Sequence, residues 1–188
     1  EPGVFNLLTV PEKAGADWIT VHCRASGMKH RGPARWDAVS TLRARRSIPV
    51  VGNGDIQSAD EAVDTYRDFE VDGVMLARAV TARPWILWQI AYRLGLEISR
   101  PPMTAEEEGR EYFQAVLKFI FLVEKHFGES ALSLQKVKFF VGIGHRWLPF
   151  GHHFWSQVHQ IKSLEEANRI VESYAVEYPQ SLYRRVVL

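Results

Sequence analysis

The chain has one cysteine, Cys23, which excludes an internal disulfide and any cysteine-rich metal site. A lone thiol suits a reducing, cytoplasmic setting. Charge of one sign is lacking too: the formal net charge is +1, too small to argue for a nucleic-acid partner by itself, so any basic surface would have to be local. No apolar run approaches the ~18 residues that span a bilayer, and the amino end carries no signal-peptide pattern, so no membrane partner is expected. There is no internal repeat and no low-complexity segment. None of the seven histidines stands in a His-Glu-x-x-His arrangement, and no metal is expected. What remains is a globular chain of 188 residues, 46% hydrophobic, long enough to bury a real core in one or two domains.

Three short apolar runs read as strands: 18–21, 48–51 and 73–76. Helical spacing follows each one. Trp36, Val39 and Leu42 give 35–46 an apolar face, Ser58 with Glu61 forms a capping box for 59–69, and Pro84 fits an early position of a helix over 84–94. A weaker helical tail is expected over 6–14, closed by Gly15. Strand–helix units in succession imply a parallel sheet with right-handed crossovers. Composition shifts at Ser99-Arg100-Pro101-Pro102, and no strand signal follows. Thr104 with Glu107 opens a long helix whose apolar face carries Phe113, Val116, Leu117, Ile120 and Phe127. A second helix carries Val137, Phe140, Val141 and Trp147. Ser163 with Glu166 opens a last one with Leu164, Ile170, Val171 and Tyr174 inward. Residues 1–98 thus read as parallel α/β structure and 99–188 as an all-α bundle.

Polar residue types gather at the strand ends: His22 and Arg24, then Asn53, Gly54 and Asp55, then Ala77, Arg78 and Ala79. In parallel α/β barrels the strand C-termini build the site, and the loops after the last two strands commonly hold a phosphate. An arginine beside exposed amides suits that anion, while the carboxamide and carboxylate suit hydroxyls or a heterocycle edge. Each feature has an ordinary reading as well. Asn-Gly-Asp is a common turn, one strand-end histidine is usually structural, and Arg78 could pair with an acidic neighbour. Three such ends in register weigh against all three ordinary readings at once. No helix N-terminus follows Cys23, so it reads as a buried structural thiol rather than a nucleophile, and no catalytic residue is assigned. Lys136, Lys138 and Arg146 belong to a modest basic excess over 131–188, either a solvated face or a shallow RNA-binding surface.

These motifs together resemble the tRNA-dihydrouridine synthases. Val21-His22-Cys23-Arg24 and the loop to Gly32-Pro33-Ala34-Arg35-Trp36 are similar to one family segment, and Ile48 to Ile56 looks like the seventh barrel strand with its Asn-Gly-Asp signature. Asp72 to Ala79 followed by Pro84-Trp85 looks like the eighth, and the helical tail resembles the family's RNA-contacting carboxy-terminal domain. The resemblance implies the end of a TIM (β/α)8 barrel binding FMN, followed by a tRNA-binding helical domain, with NADPH reducing uridine to 5,6-dihydrouridine. It implies FMN contacts from His22, Asn53, Gly54, Asp55, Ala77 and Arg78, the phosphate falling to Arg78 and the amides of 77–79. Arg24, Lys29 and Arg31 would face the RNA, with Lys136, Lys138 and Arg146 on the tail.

The sequence also departs from the family pattern. Ala77 and Ala79 flank Arg78 where glycines are usual, which requires backbone of negative φ there. Cys23 stands where glycine or alanine is common, and Arg35 replaces an acidic residue. The first five barrel strands have no counterpart in residues 1–188, nor do the family's cysteine acid and a flavin-contacting lysine. The expectation is therefore a partial barrel, inactive alone, that covers its open sheet edges by self-association or with a partner. Two other readings stay open. A non-catalytic RNA-binding or assembly module would keep tRNA binding after Arg78→Ala, and another FMN-dependent barrel oxidoreductase would keep turnover without 103–188.

Overall fold

The computed structural model describes residues 9–24 and 32–178, which divide into two compact units, Glu1–Ala77 and Arg78–Leu188. Lys29 and Arg31 lie outside the described residues. The fold is mixed α/β, with a small parallel sheet in the first unit and helices throughout the second.

In the first unit the order is α1 (Thr9–Lys13), β1 (Ile19–His22), α2 (Trp36–Arg43), β2 (Val50–Asn53), α3 (Ala59–Asp68) and β3 (Gly73–Met75). The strands are parallel in the order β1-β2-β3, with Ile19 opposite Val50, His22 opposite Asn53, and Asn53 opposite Met75. β1 and β2 begin after the apolar runs do. The Pro49 carbonyl accepts from Ile19 N at 3.0 Å, β2 is paired from Val50, and pairing continues through the polar tips His22 and Asn53. Trp36, Val39 and Leu42 are buried as their spacing predicts. Ser58 Oγ accepts from Glu61 N at 3.1 Å, completing the expected cap of α3.

At the entry ends of the strands the carboxylates are structural. Asp72 Oδ2 accepts from Val50 N at 2.9 Å, and Arg43 reaches its other oxygen at 3.2 Å. Those contacts, the Val50 N–H first, hold the Asp72 carboxyl below its ordinary range.

The second unit comprises α4 (Arg78–Ala82), α5 (Ile86–Arg93), α6 (Ala105–Phe127), α7 (Ala131–Gly144), a 3-10 turn (His145–Trp147), α8 (Gly151–His159) and α9 (Leu164–Glu177). Its core unites Tyr112, Val116 and Ile120 of α6 with Val137 and Val141 of α7, Trp147, Phe154 of α8, and Leu164 and Val171 of α9. Thr104 and Glu107 form a complete capping box. The Arg100 guanidinium, then the N–H groups of Met103 and Thr104, bring the Glu107 carboxyl down to about 2.

Two local expectations need correction. Phe127 is 51% exposed, because it lies on the last turn of α6 and stacks under the Lys136 ammonium rather than entering the core. The second bundle helix does not run through Trp147. It breaks after Gly144, where Phe150 at φ 56° turns the chain into the separate helix α8. The contact boundary at 77/78 precedes the compositional shift at 98/99. Ala82 and Trp85 join the helical core, and Arg83 and Trp85 both bond to Glu108 of α6.

Candidate functional site

The three strand tips of the first unit are joined by one run of hydrogen bonds. His22 Nδ1 lies 2.9 Å from the Asn53 carbonyl oxygen, which also accepts from Cys23 N at 2.8 Å. A carbonyl can only accept, so Nδ1 carries a proton and donates to it. Asn53 Nδ2 donates to the Met75 carbonyl at 2.8 Å. The imidazole and the carboxamide are thus fixed side by side on adjacent strands, the imidazole exposed and the carboxamide residue half-buried.

Arg24 and Asp55 take a different part from the one the resemblance implies. Arg24 Nη2 forms an ion pair with Asp55 Oδ1, and Arg24 Nε donates to the Gly32 carbonyl at 3.0 Å. Asp55 Oδ2 accepts from Ala34 N at 2.8 Å, and Asp55 itself sits at φ 55°, a conformation that aspartate tolerates better than most. Both carboxylate oxygens therefore clamp the ends of the segment between residues 24 and 34 against the tip of β2. The Arg24 side chain is only 12% exposed, its guanidinium engaged by Asp55 and the Gly32 carbonyl.

Glycines at 52 and 54 are demanded by close approach. A Cβ on Gly54 would stand 2.8 Å from that of Ala34 and 3.2 Å from that of Cys23. One on Gly52 would stand 2.2 Å from the Trp36 ring. A glycine within a strand signals such an approach, and for Gly52 that signal was present in the sequence but its partner was not. Cys23 is 5% exposed, and burial pushes its thiol up to about 11, which leaves it protonated and without nucleophilic character at neutral pH.

Ala77 and Arg78 are exposed at the junction of the two units. Neither Ala77 nor Ala79 has positive φ, so the methyl groups standing where glycines are usual cause no strain. Among the described residues no carboxylate pairs with Arg78. On α7, Lys136 and Lys138 are two residues apart, which sets them roughly 200° apart around the helix axis. They do not share a face, and Arg146 is exposed on the turn beyond. Among the described residues no cluster of His, Cys, Asp or Glu could hold a metal, and no helix is long and apolar enough to cross a membrane.

A family model described as dihydrouridine synthase (Dus) matches residues 3–181. The chain belongs to that family. It is 34% identical to a probable tRNA-dihydrouridine synthase of Rickettsia prowazekii over 102 residues, 54% of this chain and 31% of the relative. A human tRNA-dihydrouridine(20a/20b) synthase-like protein is 42% identical over 79 residues, 42% of this chain and 25% of its own. The tRNA-dihydrouridine synthase B of Pseudomonas putida is 26% identical over 180 residues, 95% of this chain but 51% of the relative. This member of the dihydrouridine synthase family therefore spans about half the length, or less, of the curated relatives it matches.

Proposed function

We propose that the chain is the flavin-phosphate and tRNA-binding portion of a tRNA-dihydrouridine synthase, a partial TIM barrel (1–98) joined to a helical tRNA-binding domain (99–188). The single observation that carries this reading is the alignment of His22 and Asn53 on neighbouring strand tips, in a chain of this family. The residues present fit FMN. Asn53 and His22 offer a carboxamide and an imidazole to the polar edge of a ring system, Gly54 lets Ala34 and Cys23 approach closely beyond β2, and Arg78 offers a guanidinium that no carboxylate among the described residues pairs with. Asp55 contributes through its clamp on Arg24, which holds the tip in place. The amides of Ala77, Arg78 and Ala79 lie beside that guanidinium in the chain and would share the phosphate.

FMN, when bound, would supply the hydride that reduces uridine in tRNA to 5,6-dihydrouridine, with NADPH as reductant. The name of the human relative includes NAD(P)+, in keeping with that donor. Lys29, Arg31, Lys136, Lys138 and Arg146 are the proposed contacts to tRNA, and a cytoplasmic location is proposed with them. Arg24 is proposed with them, its guanidinium also holding Asp55 in an ion pair. Cys23, only 5% exposed, is not proposed as the donor of the proton needed at the uracil carbon.

Inactivity alone follows from this reading. Among the described residues β1 and β3 each have one unpaired edge, and Met75 and Trp18 beside them are 47% and 61% exposed. A second copy or a partner chain would cover those edges. The purified polypeptide is expected to be colourless and to form no dihydrouridine when given tRNA, FMN and NADPH. Stoichiometric yellow flavin co-purifying with it, or turnover by the bare chain, would overturn the partial-barrel reading.

A further inference from the structure

The second unit contains a buried ion pair that the proposed site does not use. Arg83 and Glu108 pair with side chains 4% and 8% exposed. The same Glu108 oxygen accepts from Trp85 Nε1 at 2.8 Å, and the Arg83 guanidinium carbon lies 5.0 Å from the centre of the Trp147 ring. One carboxylate thus gathers two donors, and an indole face covers the cation. Removing such a pair in favour of apolar groups is often neutral or stabilising, so its presence is weak evidence for stability and calls for another purpose.

That purpose lies in what Arg83 is attached to. α4 has only five residues, Arg78–Ala82, far below the length at which a helix persists by itself. Its position is imposed from outside. Ala79 and Ala82 are 1% and 0% exposed where α4 packs on α7, and Arg83 N donates to the Ala79 carbonyl at 2.8 Å, carrying the turn on to the ion pair. The exposed first residue of the helix is Arg78. A rotation of this one turn would swing the Arg78 guanidinium, and the contacts that prevent the rotation are the small-residue packing and the Arg83–Glu108–Trp85 knot.

We propose that Arg83 and Glu108 are positioning residues for phosphate recognition at Arg78, so that the helical unit, through α6, fixes the grip on the phosphate of the cofactor. The inference rests on the reading of Arg78 as the phosphate ligand.

The test measures FMN and riboflavin affinity on the whole chain, by flavin fluorescence with the polypeptide in excess, alongside hydrogen exchange. Riboflavin lacks the phosphate, so the ratio of the two affinities isolates its recognition. Arg78→Ala is expected to lower that ratio about tenfold, as loss of a charge-assisted contact should. Glu108→Gln is expected to lower it about threefold or more with riboflavin affinity unchanged, and to speed exchange at the amides of 79–86 about tenfold more than at those of α9. Trp85→Phe, which removes one donor and keeps the ion pair, should move both readouts the same way by a smaller step. If Arg78→Ala lowers the ratio and neither Glu108→Gln nor Trp85→Phe does, the positioning role is refuted while the phosphate reading stands. Exchange that rises evenly over the second unit refutes it too, since Glu108 is then a general stabiliser. If Arg78→Ala leaves the ratio unchanged, or the unsubstituted chain binds no FMN at all, the phosphate reading fails and this inference with it.

Discussion

Arg83→Met is expected to cost the second unit about 3–5 kcal/mol, because it leaves the buried Glu108 carboxyl without its counter-charge. The pair is 4% and 8% exposed, so little water can replace the lost partner. Trp85 Nε1 would remain a donor to the Glu108 oxygen, and a neutral indole N–H is a weak substitute for a guanidinium. The double variant Arg83→Met with Glu108→Leu removes both charges and should recover most of the loss, as coupled neighbours do. Denaturant unfolding followed by tryptophan emission reads the difference, since Trp85 and Trp147 both touch the pair. A double variant no more stable than Arg83→Met alone would show that the two charges act independently.

Gly52→Ala should destabilise the first unit by about 1–3 kcal/mol, the usual range for overpacking a filled core. The added methyl would stand 2.2 Å from the Trp36 ring, inside any possible contact distance. Neither side can yield easily. β2 is held by ladders on both edges, and the Trp36 ring, in a side chain 8% exposed, is backed by Phe69 at 6.2 Å between ring centres. Pairing Gly52→Ala with Trp36→Leu should restore the space and much of the stability. A thermal midpoint for Gly52→Ala equal to that of the unsubstituted chain would contradict this packing.

What the sequence made legible was local. Capping residues Ser58, Thr104 and Ser163 each accept from the N–H three residues on, because the signal and the bond lie within one helical turn. The strand tips were legible because apolar runs end where polar residues begin. The clamp of Asp55 on Arg24 was not: the two are 31 residues apart, and nothing in either neighbourhood distinguishes a guanidinium held by the protein from one offered to RNA. Arg83 and Glu108, 25 residues apart, were hidden for the same reason. The helix α4 has no periodicity to read in five residues, and only its buried alanines on α7 make it helical. Gly144 looks like a tolerable helix residue. It is the ring of Tyr112, 2.4 Å from where its Cβ would be, that requires glycine there.

The central claim is that the imidazole, the carboxamide and the first arginine of α4 receive one flavin nucleotide. An amide NMR titration of the chain with FMN tests it directly, because it registers weak binding residue by residue. The expected result is that resonances of His22, Asn53, Gly54, Ala77 and Arg78 shift together along one saturation curve, while those of α8 and α9 stay still. Shifts confined to the helices beyond residue 98, or none at any of those five positions, would contradict it.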